Sequence, residues 1–96
     1  MGVLPLVEGL AQKIRGWAPS VKRSLHASDV QVTASSTGIT LRASGIQKKG
    51  TAWECSHVFP LEDCFVGPVH QGVVRWRPCE YVRIFVSKCL KERGVM

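Results

Sequence analysis

The sequence predicts one α+β domain over residues 1–96, in which an N-terminal helix and a C-terminal helix pack on a small antiparallel sheet. Three observations predict this fold. The length of 96 residues allows one modest hydrophobic core and excludes large enzyme folds such as a TIM barrel. Apolar residues recur at helical spacing near both ends of the chain and alternate with polar residues between them. Helix, strands and helix in that order are typical of an α+β fold.

The first helix is predicted over residues 6–18. Apolar residues recur there every three or four positions, at Leu10, Ala11, Ile14, Trp17 and Ala18. Pro19 interrupts or restarts this helix, because proline lacks the main-chain N–H that a helix interior needs. Val21 and Leu25 can continue the apolar face for a turn or two before the segment ends at Ser28.

The central part of the chain predicts four to six short strands. Val30 and Val32 alternate with polar residues, and so do Ile39 and Leu41 after the turn sequence SSTG. This pattern predicts a β-hairpin. Residues 43–50 contain two glycines and two lysines, which favours a loop or a second hairpin tip.

Three further runs complete the predicted sheet. Residues 52–59 alternate loosely and end at Pro60. Residues 61–66 can form a short strand after a turn, and residues 73–77 form another strand before Pro78. We expect the last of these strands to lie at the edge of the sheet, beside the C-terminal helix.

The C-terminal helix is predicted over residues 79–93. Its apolar stripe follows helical spacing and consists of Val82, Phe85, Val86, Cys89 and Leu90. The run is too long for a typical strand, and the basic side chains near its end suit the negative end of a helix dipole. We expect the stripe to be buried against four residues of the sheet: Val32, Ile39, Leu41 and Trp76.

The chain is basic, with 13 lysines and arginines against 7 aspartates and glutamates and a net charge of +6. This balance favours an acidic partner, which can be a phosphate group, an anionic membrane surface or an acidic peptide. The apolar runs are shorter than the ~18 residues that a membrane-spanning helix needs, so we predict no membrane span.

The four cysteines lie at positions 55, 64, 79 and 89 and would suit two disulfides in a secreted protein. The first residues lack the basic start and the continuous apolar run of a signal peptide. We therefore expect reduced cysteines and a cytoplasmic protein. A mitochondrial location is the alternative, because residues 1–26 are basic, amphipathic and poor in acidic side chains.

Three segments resemble the phosphotyrosine-binding (PTB) domains of the tensin type. Residues 30–41 resemble a hairpin of this family that has the sequence pattern VxVxxSxxGIxL. Residues 57–66 resemble the family's next strand, which begins with histidine, an aromatic residue, proline and an aliphatic residue. Residues 82–90 are similar to the family's C-terminal helix, and the first helix lies where the family places one before the hairpin.

The resemblance implies a PH/PTB-like sheet and an adaptor or signalling module. Such a module binds a peptide, with or without phosphotyrosine, between a sheet edge and the C-terminal helix. The chain departs from the family because the first long strand is missing and the later strands are shortened, so we expect a shortened or divergent relative. With the edge placed at residues 72–77, the predicted ligand-binding residues are Val73, Arg75, Arg77, Val82, Phe85, Lys48 and Lys49.

The same basic side chains predict two further classes of ligand, both anionic: phosphoinositides and nucleic acids. Basic loop tips of PH-like sheets meet anionic headgroups, which makes a phosphoinositide a second ligand class. The alternative function is a nucleic-acid-binding domain, in which Arg75, Arg77, Lys48 and Lys49 contact phosphates beside exposed tryptophans.

Enzyme and metal chemistry have weaker support. Cys55 and His57 share one face of a strand, as a nucleophile and a base would. Together with Cys64 and His70 they could also hold zinc, but the paired cysteine knuckle of most zinc sites is missing. Ordinary strand and core residues explain both groups, so we predict no catalytic residue, no metal site and no cofactor.

Overall fold

The structure is a computed structural model that describes residues 2–47 and 49–94. Two helices, α1 (Leu4–Arg15) and α2 (Ala18–Leu25), precede three strands. These are β1 (Asp29–Ser35), β2 (Gly38–Ile46) and β3 (Ala52–Pro60). A helical turn α3 (Leu61–Cys64), a 3₁₀ turn (Val69–Gln71) and the long helix α4 (Pro78–Glu92) follow.

The three strands form an antiparallel sheet in the order β1-β2-β3. Val32 lies opposite Leu41, which lies opposite His57, so these side chains share one face. Every second residue of each strand points to this face and is largely buried, because successive residues of a strand point to opposite faces. The other face is largely polar and exposed, and Arg42 and Glu54 form an ion pair of 2.6 Å there.

All the helices lie on the apolar face of the sheet. α1 packs on β1, α4 packs on β3, and α4 also contacts α1 and α2. The largest fully buried side chains are Tyr81, Phe59, Phe85, Ile14, Leu25, Ile39 and Leu41. The predicted α+β fold, with an N-terminal and a C-terminal helix packed on a small antiparallel sheet, is therefore confirmed.

The helix predicted over residues 6–18 is two helices in the structure. α1 ends at Arg15, and α2 begins at Ala18 with Pro19 in its first turn. Proline is favourable in that position because the main-chain N–H groups of a first turn have no partner within the helix. Pro19 therefore restarts the helix, and Val21 and Leu25 continue the buried stripe as predicted.

The sheet has three strands among the described residues, so the prediction of four to six was wrong. Residues 61–64 form a helical turn, where a strand was predicted. Residues 73–77 form no strand: Val74 makes one isolated bridge with Phe65, and the chain then bends. The alternation in this segment is real, but the backbone bends at Arg75 and Trp76 and pairs with none of the three strands.

The boundary of the second hairpin also differs from the prediction. Residues 43–46 were predicted as loop and belong to β2, where Ala43 and Gly45 are buried. Gly38, at the start of the same strand, has a φ of +149°, and a Cβ there would overlap the carbonyl oxygen of Phe59. Glycine is therefore required at Gly38 to bring β2 close to the end of β3.

The C-terminal helix has nearly the predicted bounds. α4 buries Val82, Phe85 and Cys89, while Val86 and Leu90 are half-buried. Within residues 2–47 and 49–94, no helix combines the length and the apolar character that crossing a membrane would require.

Candidate functional site

Helix α4 lies along strand β3 and runs antiparallel to it. Three contacts fix this alignment: Arg93 with Trp53, Cys89 with Cys55, and Tyr81 with Phe59. From Tyr81 to Arg93 the helix rises by roughly 18 Å, at about 1.5 Å per residue. From Trp53 to Phe59 the strand advances by roughly 20 Å, at about 3.3 Å per residue. The two elements therefore stay side by side over most of the strand.

The outer edge of β3 carries main-chain groups that no further strand pairs. Lys88 of α4 donates a hydrogen bond from its Nζ to the carbonyl of Ser56, at 2.8 Å. This carbonyl therefore faces away from β2, and by the alternation of an antiparallel ladder the main-chain groups of Glu54 and Val58 face the same way. In the described parts of the chain, Lys88 is the only group that bonds to this edge.

Helix α4 presents one flank towards this open edge. Ile84, Lys88 and Lys91 are spaced three or four residues apart, so they lie on the same side of the helix. Ile84 is 37% exposed, and Val58 on the outer face of the sheet is 55% exposed. The open edge of β3 thus has an apolar side chain on either side of it and a lysine at its centre. We call the outer main-chain groups of residues 54, 56 and 58, with Ile84 and Lys88, the β3–α4 groove.

The basic side chain that protects the opposite edge of the sheet makes more contacts than Lys88. Arg15 of α1 donates two hydrogen bonds to the carbonyl of Val32, from Nε at 3.1 Å and from Nη2 at 2.9 Å. The same guanidinium forms an ion pair of 2.6 Å with Glu8. Unpaired strand edges are commonly protected by charged side chains in this way. The guanidinium of Arg15 makes two hydrogen bonds and a close ion pair, whereas the ammonium of Lys88 makes one hydrogen bond to Ser56 and a longer ion pair of 3.7 Å with Glu92.

Cys55 of β3 and Cys89 of α4 form a disulfide across the base of the groove, with their Cα atoms 5.8 Å apart. This distance lies within the usual range for a disulfide. The expectation that all four cysteines are reduced is therefore wrong for this pair, while Cys64 and Cys79 are free. Glu92 Oε2 lies 3.3 Å from the Cys55 sulfur, and that sulfur can donate a hydrogen bond to it only when the disulfide is reduced.

His57 lies on the inner face of β3, between the strand and α4. Its ring stands edge-on to Phe59, with centroids 4.5 Å apart. Burial lowers the pKa of His57, and the positive charge of Lys88 lowers it further, while Asp63 and Glu92 oppose the change. Neutral imidazole is therefore favoured beside the groove.

The structure separates the predicted ligand-binding residues. Val82 is 7% exposed and Phe85 is fully buried, so both belong to the core and neither lines the groove. Val73 is half-exposed and lies in the segment predicted as the edge strand, which forms no strand. The strand edge that lies beside α4 is that of β3. Long-range contacts fix the register between this strand and the helix, and the sequence pattern does not contain them.

Three of the predicted basic residues, Arg75, Arg77 and Lys49, do not form part of this groove. Arg75 and Arg77 are exposed in the segment before α4, and Arg75 donates a long hydrogen bond of 3.5 Å to the carbonyl of Glu62. Lys49 is exposed in the turn between β2 and β3, and Lys48 lies outside the described residues. Lys88 is one of the basic side chains near the end of the C-terminal helix, which were expected only to suit the helix dipole. Its helical spacing from Ile84 could have indicated a shared flank.

The groups considered for catalysis and zinc do not assemble. Cys55 is bonded to Cys89 and offers no thiol to His57 in this form. Cys64 is fully buried, and burial raises the pKa of its thiol to about 11, as expected for a small core residue. Among residues 2–47 and 49–94, no three histidine, cysteine, aspartate or glutamate side chains come together as metal ligands.

Comparisons with models of protein families, with curated proteins and with solved structures find no match to the chain. The resemblance to PTB domains therefore depends on the sequence motifs alone. What the chain can bind has to be argued from the β3–α4 groove itself.

Proposed function

We propose that the chain is a non-catalytic interaction module in which an extended peptide pairs with the outer edge of β3, beside α4. In this mode of recognition, main-chain hydrogen bonds supply affinity and the pockets beside the edge supply specificity. The observation that carries the proposal is the row of outward main-chain groups at Glu54, Ser56 and Val58. Among residues 2–47 and 49–94, the Ser56 carbonyl alone of these groups has a partner, Lys88.

Two features of the groove support this proposal. First, Val58 and Ile84 are exposed on the two sides of the edge, where alternate side chains of an added strand would pack. Second, β3 is nine residues long and α4 accompanies most of it, so a peptide would meet a rigid surface. An exposed strand edge of this length invites pairing with another chain.

The resemblance to PTB domains supports the same mode of binding and makes an adaptor role the natural context. The edge in our proposal is β3, and residues 72–77 do not contribute to it. A nucleic-acid partner has less support, because two of the tryptophans that were expected to stack on bases are covered. Trp53 is buried and Trp76 is half-buried.

The experiment that tests this proposal removes one outward N–H from the edge. Ser56→Pro deletes the N–H that an added strand would need, and proline is tolerated at outward positions of edge strands. Binding of peptides selected from a displayed library of random heptapeptides should fall at least tenfold in this variant. The amide protons of residues 54, 56 and 58 should become protected from hydrogen exchange when the wild-type chain binds the same peptides.

The matched control is Ala34→Pro on the opposite edge. Ala34 is two residues from Val32, whose carbonyl faces outward, so its own N–H also faces away from β2. This variant should retain peptide binding. Equal loss in both variants, or no loss in Ser56→Pro, would contradict pairing at the β3 edge.

A further inference from the structure

The single hydrogen bond that occupies the β3 edge must break before a strand can add there. An antiparallel or parallel partner would donate its own N–H to the Ser56 carbonyl, which now accepts the Nζ of Lys88. The ammonium of Lys88 would then lie beside the added strand without its main-chain acceptor. Its remaining partner is Glu92, at 3.7 Å, and a carboxylate on the added strand would replace the lost hydrogen bond with a second charged contact.

The side chain that meets Lys88 follows from strand geometry. The peptide residue opposite Ser56 points its side chain to the outer face of the sheet, as Ser56 does. Its neighbours in sequence point to the inner side, towards α4. A peptide side chain next to the residue opposite Ser56 therefore faces Lys88.

A second position of the peptide is defined by Ile84. From Lys88 to Ile84 the helix rises by roughly 6 Å, which is close to the roughly 6.6 Å spanned by two residues of a strand. The peptide residue two positions from the one at Lys88 therefore faces Ile84. A strand antiparallel to β3 runs in the same direction as α4, so it reaches Ile84 before Lys88.

The charges along the flank of α4 favour an acidic residue at the Lys88 end. Lys91 lies on the same flank one turn further along the helix. Glu92 is 3.7 Å from Lys88 on the side that faces Cys55, where it competes for the ammonium. At the other end, beyond Ile84, Glu80 forms an ion pair of 3.4 Å with Arg83. The charges of Glu80 and Arg83 offset each other, whereas Lys91 adds a positive charge at the Lys88 end, so an acidic residue is favoured beside Lys88.

We propose that the β3–α4 groove selects peptides that pair antiparallel to β3 and in which an apolar residue is followed two positions later by aspartate or glutamate. The apolar side chain packs on Ile84, and the carboxylate pairs with the Lys88 ammonium that strand addition displaces from Ser56. This inference rests on the proposed function of the groove and names the class of peptide that it accepts.

The test compares capped heptapeptides that differ at one position. The first has the order Thr-Thr-Val-Thr-Glu-Thr-Thr, the second replaces Glu with Gln, and the third replaces it with Lys. The Glu peptide should bind the full chain about two- to fivefold more tightly than the Gln peptide, the range expected for one partly exposed ion pair. Lys88→Glu should reverse the order, so that the Lys peptide binds best.

The control for this reversal is Lys22→Glu, which makes the same change of charge at an exposed position on α2. It should leave the order of the three peptides unchanged. A peptide with Glu two residues before Val should bind the wild-type chain more weakly than the first peptide, because its charge and its apolar side chain face the wrong ends of the flank.

The outcomes separate this inference from the function on which it rests. If all three peptides bind equally and Ser56→Pro abolishes binding, the groove binds strands but does not select acidic ones, and the inference is wrong. The same holds if Lys88→Glu leaves the Glu peptide preferred. If none of the peptides and no member of the random library binds, the inference and the proposed function both fail.

Discussion

The guanidinium of Arg93 lies over the indole ring of Trp53, with Cζ 4.0 Å from the ring centroid. The same side chain donates a hydrogen bond of 2.8 Å from Nη1 to the carbonyl of Leu25, the last residue of α2. One arginine therefore joins the end of α4 to the start of β3 and to the end of α2. Stacking on tryptophan and capping of a helix carbonyl are both favourable positions for a guanidinium.

Replacement of Arg93 should destabilise the domain. Arg93→Ala removes the stacking and the bond to Leu25, and we expect a loss of about 2–3 kcal/mol in the free energy of unfolding. Arg93→Lys keeps the positive charge but not the planar guanidinium, so it should be destabilised less than Arg93→Ala but still be less stable than the wild-type chain. Urea denaturation followed by tryptophan fluorescence measures both variants. An unchanged unfolding midpoint in Arg93→Ala would show that the contact contributes nothing.

The disulfide between Cys55 and Cys89 should account for much of the stability of the domain. The two residues are 34 apart in sequence, and closing a loop of that size stabilises a protein by about 3–4 kcal/mol in the chain-entropy model. The variant with both residues changed to alanine should unfold at a correspondingly lower urea concentration. Its midpoint should not respond to dithiothreitol, whereas that of the wild-type chain should fall.

Cys79→Ala is the matched control for the disulfide, because Cys79 is a free cysteine on the same helix. This variant should keep the wild-type response to dithiothreitol. A wild-type midpoint that is independent of reductant would contradict a disulfide in the folded chain.

Acidification should weaken the fold through His57. Its pKa is lowered in the folded chain, by burial first and by Lys88 second, so the unfolded chain takes up the proton more readily. The contribution of His57 to stability is then fully present above the ordinary histidine pKa of about 6.5. It is lost as the pH falls from there through the lower pKa of the folded chain.

The measurement is the urea midpoint at pH 7.5 and at pH 5.5. His57→Gln should show a smaller decrease between these two values than the wild-type chain. His70→Gln, at an exposed position in the loop, should behave like the wild-type chain. Identical decreases in all three proteins would rule out a role for His57 in the acid response.

Tyr81 is the only tyrosine of the chain, so its ionisation can be followed without overlap from other tyrosines. Burial raises its pKa to about 12. Its hydroxyl donates towards the carbonyls of Asp63 and Cys64, each at 3.1 Å. In the folded chain, absorbance of tyrosinate at 295 nm should therefore appear well above the ordinary pKa of about 10, and unfolding in urea should restore that value.

Removal of this hydroxyl should also weaken the attachment of α3 to α4. Tyr81→Phe keeps the ring contacts with Phe59 and Trp76 and loses only the hydrogen bond, so we expect a loss of about 1–2 kcal/mol. Titration of Tyr81 near its ordinary pKa in the folded chain would contradict the buried position of the ring.

The exposed arginines before α4 distinguish a peptide partner from a nucleic acid. Neither Arg75 nor Arg77 forms an ion pair within the described residues. If the ligand is a peptide at the β3 edge, Arg75→Ala with Arg77→Ala should cost at most about 1 kcal/mol in binding. If it is single-stranded nucleic acid, the log of affinity should fall with log salt by about 0.7 per phosphate contact, and the double variant should flatten that slope.

Fluorescence anisotropy with a labelled peptide and with a labelled oligonucleotide, each at several salt concentrations, makes the comparison. We expect a shallow slope for the peptide. Tight oligonucleotide binding with a slope steeper than about −2 would favour the nucleic-acid function instead.

The parts of the fold that depend on local periodicity could be predicted from the sequence. The stripe that contains Val82 and Phe85 repeats at helical spacing, and it placed α4 to within a residue or two of its observed bounds. The alternation around Val32 and Leu41 likewise predicted the first hairpin. In both cases the pattern that selects the element is contained within the element.

The position of the groove could not be predicted in the same way, because it depends on contacts between distant residues. Apolar and basic residues alternate over residues 73–77, as they would in a strand. The alternation alone does not show whether the segment reaches an edge of the sheet and pairs with it. Lys88 and Ser56 are 32 residues apart, and no local pattern links them. The disulfide between Cys55 and Cys89 could not be predicted for the same reason. Each cysteine fits the apolar stripe of its own element, and their separation in sequence does not show that they pair.

Because α4 lies along β3, the order of synthesis leaves this strand uncovered for a time. The hairpin of β1 and β2 can fold against α1 and α2 as soon as it leaves the ribosome. Phe59 and Cys55 of β3 then have no partners until Tyr81 and Cys89 have been synthesised. The outer edge of β3 also lacks Lys88 until that point. The nascent chain is therefore most prone to aggregation, and most in need of chaperones, in the interval between the synthesis of β3 and that of α4.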